Sequence, residues 1–316
     1  MRRLPRKIPR SDELRVFNTR NLKGLALIAV LGLVGFWVMT TPVTVKEPSL
    51  PAHTADLANG KVIYNVGGCI SCHAPGPRLK DVAADVPAGG KPLTTPIGIL
   101  YPHNLTPDPE TGMGQWTLGQ FYLAMHQGQH PDGSNLIPAF PYTSYAKMKS
   151  DDIVDLWAYL QSLKPVKNAV PPHEVVGLSI VRRGLTFWKW LALDDAVWVA
   201  DPAQTASFNR GSYLVNSAGH CNECHTPRNL FMASDLARKF MGGPHPEGKG
   251  IVPSLRNLAA RGRYKDVADL VLAFQNGEEL GYDKMNAGGM GDVRRNLAML
   301  PEADLKAIAE YVMGLK

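Results

Sequence analysis

The stretch AGHCNECHTPRN, residues 218–229, sets two cysteines three apart with a histidine directly after the second. An earlier stretch, GGCISCHAPGPR, residues 67–78, does the same. The chain has four cysteines, and these two places use all of them. The copies are in register: Cys69, Cys72 and His73 recur as Cys221, Cys224 and His225 at a shift of 152, and Pro75 recurs as Pro227. Farther on, DIVDLWAYLQSL (152–163) is matched by DLKAIAEYVMGL (304–315) at that same shift, pairing Asp152 with Asp304 and Tyr159 with Tyr311. A cysteine motif and a distal segment that keep their separation in both halves predict two copies of one domain.

Each copy reads as mainly α. NGKVIYNVG and NRGSYLVNSAG lead into the motifs with helical apolar spacing. In the distal segments Ile153, Leu156, Trp157 and Leu160, and then Leu305, Ile308, Ala309 and Val312, fall at i, i+3, i+4 and i+7. TLGQFYLAMHQG and YKDVADLVLAFQNG add helical pieces between, and Gly- and Pro-rich loops separate them. No run of alternating strands is evident. Residues 165–205 connect the copies through PVKNAVPPHE and a short helix carrying Trp188 and Trp190, aromatics expected to pack the domains together.

Length and composition fit two ordinary folded domains. The net charge of +6 is confined to residues 1–23, which hold eight basic and two acidic groups; the remainder balances at 26 of each sign. A neutral body excludes nucleic-acid binding driven by a basic surface. After Lys23, GLALIAVLGLVGFWVMTTPVTV (24–45) runs uncharged to Lys46. At about 1.5 Å per residue it can cross a hydrocarbon core of roughly 30 Å. The basic flank keeps the N-terminus in the cytoplasm. A cleaved signal peptide shares the basic start, but its apolar core is usually about 7–15 residues and ends in a small-residue site, which this run lacks. The expected organisation is therefore a cytoplasmic tail (1–23), a single transmembrane anchor (24–45), domain 1 (46–164), a linker (165–205) and domain 2 (206–316), with both domains exported.

Four chemistries compete for C-x-x-C-H. A disulfide across two intervening residues closes a tiny loop with little entropic benefit. A thioredoxin-like redox pair belongs in a βαβ setting. A single zinc could take four cysteines as two knuckles, but that gives the two histidines no role. Covalent c-type haem attachment uses every residue. Two thiols form thioethers to the two vinyl groups of one porphyrin, one helical turn spans the gap, and the next residue sits beneath the iron. Cys69, Cys72, Cys221 and Cys224 are thus read as holding two haems c, with His73 and His225 as proximal iron ligands. The carbonyls of Pro75 and Pro227 are the expected partners of the other imidazole nitrogen, and Arg78 and Arg228 are candidates for the haem propionates.

The distal side differs between copies. KMNAGGMGDVRRNLAML offers Met290 between glycines, with Met285 in reserve. The first copy reads LIPAFPYTSYAKM, where Met148 aligns with Leu300, a core-type position; Met113, Met125, His126 and His130 are alternatives. A Met ligand raises the potential, whereas an open site favours ligand binding or peroxide chemistry. His53, His103, His173, His220 and His245 lack ligand spacing, although His220, next to Cys221, is placed to touch a haem edge.

With these residues in view, the chain resembles the membrane-anchored multihaem c-type cytochromes that accept electrons from periplasmic dehydrogenases, in particular the cytochrome c subunits of alcohol and gluconate dehydrogenases. The resemblance rests on NLTPDPETGMGQW (104–116), PAFPYTSYAKM (138–148), DIVDLWAYL (152–160), GSYLVNSAGHCNECHTPRN (211–229) and GGMGDVRRNLAML (288–300), spread over most of residues 55–316. Those subunits usually carry three haem motifs and often a cleaved signal; this chain has two motifs and a retained apolar run. The resemblance implies two tandem class I cytochrome c domains, anchored at the inner membrane and facing the periplasm. They would relay single electrons from a dehydrogenase donor to a cytochrome or oxidase of the respiratory chain. The rival expectations are a haem enzyme, such as a dihaem peroxidase or thiosulfate dehydrogenase, and a fixed wiring subunit of a larger respiratory complex.

Overall fold

The structure is a computed structural model, and it describes residues 19–245, 250–276 and 289–316. The chain divides into two units, residues 1–42 and 43–316.

Among its described residues the first unit holds one helix, α1 (Thr19–Met39). Its window Leu22–Met39 has a mean hydropathy of 2.1, and none of it is buried. The uncharged run 24–45 is helical only as far as Met39. The hydroxyls of Thr40 and Thr41 turn back onto the carbonyls of Phe36 and Trp37 at 2.6 and 2.7 Å. Pro42 then disfavours a helical conformation at Thr41.

The second unit runs through two successive sets of elements in the same order. The first set is α2 (Leu57–Val66), the one-turn α3 (Cys69–His73), the short strands β1 (Leu93–Thr95) and β2 (Gly98–Leu100), α4 (Leu118–Gln127), the short α5 (Tyr142–Tyr145) and α6 (Ser150–Gln161). A connector contributes β3 (Glu174–Val175) and α7 (Leu178–Ala192). The second set is α8 (Ala206–Asn216), α9 (Asn222–His225), β4 (Gly243–Pro244), β5 (Ile251–Val252), α10 (Val267–Asn276), α11 (Gly289–Leu297) and α12 (Glu302–Met313). The fold is mostly helical, and the strands are two or three residues long. β1, β2 and β3 form an antiparallel ribbon in which Leu93 faces Leu100 and Gly98 faces Val175, so the connector is stitched to the first half.

Local signals start the helices. The Asp56 carboxylate caps α2 by accepting from the Ala58 and Asn59 amides. Thr117 and Gln120 form a capping box on α4, and the Thr205 hydroxyl accepts from the Phe208 amide at the start of α8.

The scaffold of each half is a helix crossing, α2 on α6 and α8 on α12. A glycine makes each crossing close: a Cβ on Gly60 would lie 2.1 Å from the Asp155 carbonyl oxygen, and one on Gly211 would lie 1.8 Å from that of Ala307. One apolar core runs through both halves, from Ile63, Tyr145, Met148 and Leu156 to Leu214, Phe240, Leu270 and Ile308. Trp188 does tie the halves together, donating its indole N–H to the Phe231 carbonyl at 2.7 Å. Trp190 does not. It is 67% exposed, and among the described residues its ring contact is with its own helix neighbour Phe187, because α7 turns that face outward.

Candidate functional site

Each motif follows the first helix of its half. In the first, the chain leaves α2 through Gly67 and Gly68, and Gly68 takes a left-handed conformation at φ +58° before α3 begins. That reversal turns Cys69 into a fresh helical turn, so Cys69 and Cys72, three apart, share one face. In the second, the His225 amide donates to the Cys221 carbonyl at 2.9 Å, closing the same turn. No disulfide joins any of the four cysteines. Burial pushes the Cys69 and Cys221 thiols up to about 12. A thioredoxin-like pair needs the opposite, a depressed thiol.

The two histidines are held alike. The His73 Nδ1–H donates to the His103 carbonyl at 2.6 Å, and the His225 Nδ1–H donates to the Pro253 carbonyl at 2.8 Å. The partner is thus a carbonyl 30 or 28 residues downstream, not that of Pro75 or Pro227. The Pro227 carbonyl accepts from the Asp235 amide instead. Such a bond fixes the tautomer and the plane of the ring, and leaves Nε2 to act as donor to a metal. Desolvation lowers the His73 imidazole to about 4 and shifts His225 in the same direction, which keeps both neutral. Two thiols on one turn, a neutral imidazole oriented through Nδ1, and the buried Tyr64 hydroxyl beside the first motif, which has no hydrogen-bond partner among the described residues, suit a covalently held porphyrin iron.

Arg228 donates to the Glu223 carboxylate at 2.7 Å, to the Glu223 carbonyl and to Ser234, so its guanidinium serves the second motif's own turn. Arg78 is exposed. His53 Nε2 lies 2.7 Å from the buried Asp155 carboxylate.

Of the distal-ligand candidates, Met290 opens α11, partly buried against the shared core. Met285 lies outside the described residues. Met148 is fully buried, and its amide donates to the Tyr145 carbonyl just after α5. Met113 and Met125 are buried in the same cluster. His126 stacks on Tyr122 and points Nε2 toward the Met148 carbonyl at 3.4 Å, while His130 pairs with Asp132 at 3.0 Å.

The two motifs face one another. His220 Nε2 donates to the Gly67 carbonyl at 3.2 Å, and its ring meets Tyr145 edge-on at 5.7 Å. Across this seam the Thr143 and Ser144 hydroxyls donate to the Glu223 carboxylate at 2.7 and 2.8 Å. On the other side the Asn296 amide donates to the Ser71 hydroxyl at 2.8 Å. Burial raises the Glu223 carboxyl, but Arg228 and the two hydroxyls outweigh it and hold the group below its usual range. Of these seam residues only His220 stood out in the sequence, and for contact with a haem edge rather than for this bond to Gly67. The one available signal was that Ser71 and Glu223 occupy the same slot inside the two motifs.

The comparisons agree with this geometry. Residues 57–164 match the cytochrome c family. A "Diheme cytochrome c-type" protein of Cereibacter sphaeroides is 38% identical over 290 residues, which cover 92% of this chain and 95% of that protein. The fructose dehydrogenase cytochrome subunit of Gluconobacter japonicus is 32% identical, over 94% of this chain and 60% of the subunit. The cytochrome c subunit of the quinone alcohol dehydrogenase of Gluconacetobacter polyoxogenes is also 32% identical, over 84% of this chain and 57% of the subunit. The match thus spans nearly all of the dihaem relative and somewhat over half of the dehydrogenase subunits. The chain belongs to the cytochrome c family, whose members transfer electrons through covalently bound haem c.

Proposed function

We propose that this chain carries two haems c, on Cys69 and Cys72 and on Cys221 and Cys224, and relays single electrons between them. His73 and His225 are the proximal ligands. Met290 is the distal ligand of the second haem and Met148 that of the first. The observation that carries this reading is the repeated histidine geometry, with each imidazole fixed through Nδ1 by a carbonyl 2.6 or 2.8 Å away. The haem supplies the one-electron couple. The chain orients the imidazoles, excludes water around them and sets the spacing of the two sites. The facing motifs favour electron passage within the molecule.

The apolar α1 supports an anchored protein, with the basic tail in the cytoplasm and residues 46–316 in the periplasm. The named relatives support a dehydrogenase as donor, and the respiratory chain is the acceptor. The test is to extract the full-length chain in mild detergent, count haem per polypeptide by pyridine haemochrome, and identify co-purifying subunits by mass spectrometry. Two haems and a stoichiometric dehydrogenase are expected. One haem would refute the two-site reading. A chain that purifies alone and turns over peroxide or thiosulfate would favour the haem-enzyme alternative.

A further inference from the structure

The seam between the motifs is built from a reciprocal pair. Ser71 and Glu223 are the residues just before the second cysteine of each motif, and they are 152 apart. Their partners Ser144 and Asn296, on the short helices α5 and α11 that precede the last helix of each half, are also 152 apart. Glu223 of the second motif holds Thr143 and Ser144 of the first half. Ser71 of the first motif is held by Asn296 of the second half. The fit is close at both ends: Ser144 is 1% exposed and Asn296 4%, and a Cβ on Gly68 would lie 3.3 Å from the Asn296 amide nitrogen. α5 runs on to Met148 within three residues, and Met290 lies six residues before Asn296.

We infer that Glu223 and Ser71 are positioning residues, each fixing the distal segment over the haem of the other half. The inference rests on the two-haem reading above. Distal-ligand geometry sets the potential of a haem, and groups behind the ligand orient it. A crossed arrangement therefore makes each haem's potential depend on the attachment turn of its neighbour. The two links are unequal. Glu223 offers an ionised acceptor to two hydroxyls, while Ser71 makes one neutral hydrogen bond, and charge-assisted bonds are the stronger kind. The first haem's distal segment is the more firmly held.

The experiment is a potentiometric titration, with electron paramagnetic resonance of each oxidised haem, on the full chain after its haem content is counted. The two waves are assigned with chains lacking Cys69 and Cys72, or Cys221 and Cys224. Ser71→Ala changes no charge, and it is expected to move the second haem's wave and alter that haem's low-spin signal. Glu223→Gln is expected to alter the first haem's signal and move its wave. Thr143→Val with Ser144→Ala, which alters no residue of either motif, should reproduce that change and add nothing to Glu223→Gln. If Glu223→Gln destabilises the chain too far, Ser71→Ala and Asn296→Ala carry the test alone. With two haems bound, Ser71→Ala moving only the first haem's wave, or leaving both unmoved, overturns the inference and leaves the two-haem reading intact. One haem per chain overturns both.

Discussion

The two halves share a scaffold and differ where it meets the two C-x-x-C-H motifs. Both cross their first and last helices at a glycine, and both fix the motif histidine through a downstream carbonyl. Yet the first motif puts a neutral Ser71 into the seam, and the second puts in Glu223, buried and paired with Arg228. The first half buries Met148 completely in the core, while the second sets Met290 partly buried at the start of a helix. The difference teaches that the two halves keep the parts that orient the motif histidine and diverge in the residues that pack around each motif. On the two-haem proposal, identical haem environments would give no preferred direction for an electron, and this seam is where the two halves differ.

The comparison is broken most severely by removing a cofactor from one half. Replacing Cys221 and Cys224 with Ala should halve the haem content, and replacing Cys69 and Cys72 should do the same, as read by pyridine haemochrome. Unequal losses would show that one half needs the other to mature.

The next largest effect separates the two seam residues. Glu223→Ala strands the partly buried Arg228 and two hydroxyls, and should cost about 3 kcal/mol of unfolding free energy. Ser71→Ala removes one neutral acceptor and should cost about 1 kcal/mol. Denaturant unfolding of the haem-loaded chain checks both, and equal costs would erase the asymmetry argued above.

The helix crossings should be alike. Gly211→Ala drives a methyl into the Ala307 carbonyl and Gly60→Ala drives one into that of Asp155. Each should cost roughly 2 kcal/mol, since overpacking outweighs the gain in helix propensity. Gly211 should be the more sensitive of the two, having the shorter contact, and melting curves of both variants would show the order.

The smallest effect belongs to the first half alone. His53 bonds Asp155, and position 307 in the second half is Ala. That hydrogen bond raises the His53 imidazole above its ordinary 6.5. A raised folded value means the contribution is fully present below about pH 6.5 and is lost as pH rises through the folded value. His53→Gln should therefore lower stability at pH 5.5 and leave it nearly unchanged at pH 8.5. A deficit of equal size at both pH values would mean the imidazole acts by packing.

What could be read in the sequence was whatever depends on residue type at short spacing. C-x-x-C-H fits on one helical turn, so its five residues carry their chemistry wherever they are placed. The 152-residue shift identified the repeated scaffold, and the charge-free run after Lys23 identified the apolar helix, although Pro42 and two threonines end it before the run does. The rest was invisible for a physical reason. The partners of His73 and His225 are backbone carbonyls, which every residue possesses, so His103 and Pro253 left no signature and the nearer prolines were the natural guess. Glu223 reads as an ordinary exposed spacer until tertiary packing brings residues 79 and 80 positions away onto it. Ser71 and Asn296 are 225 residues apart in the chain. Local pattern decided what each half can hold, and long-range packing decided which half's short helix each motif touches, because only the folded chain brings those distant groups within hydrogen-bond reach.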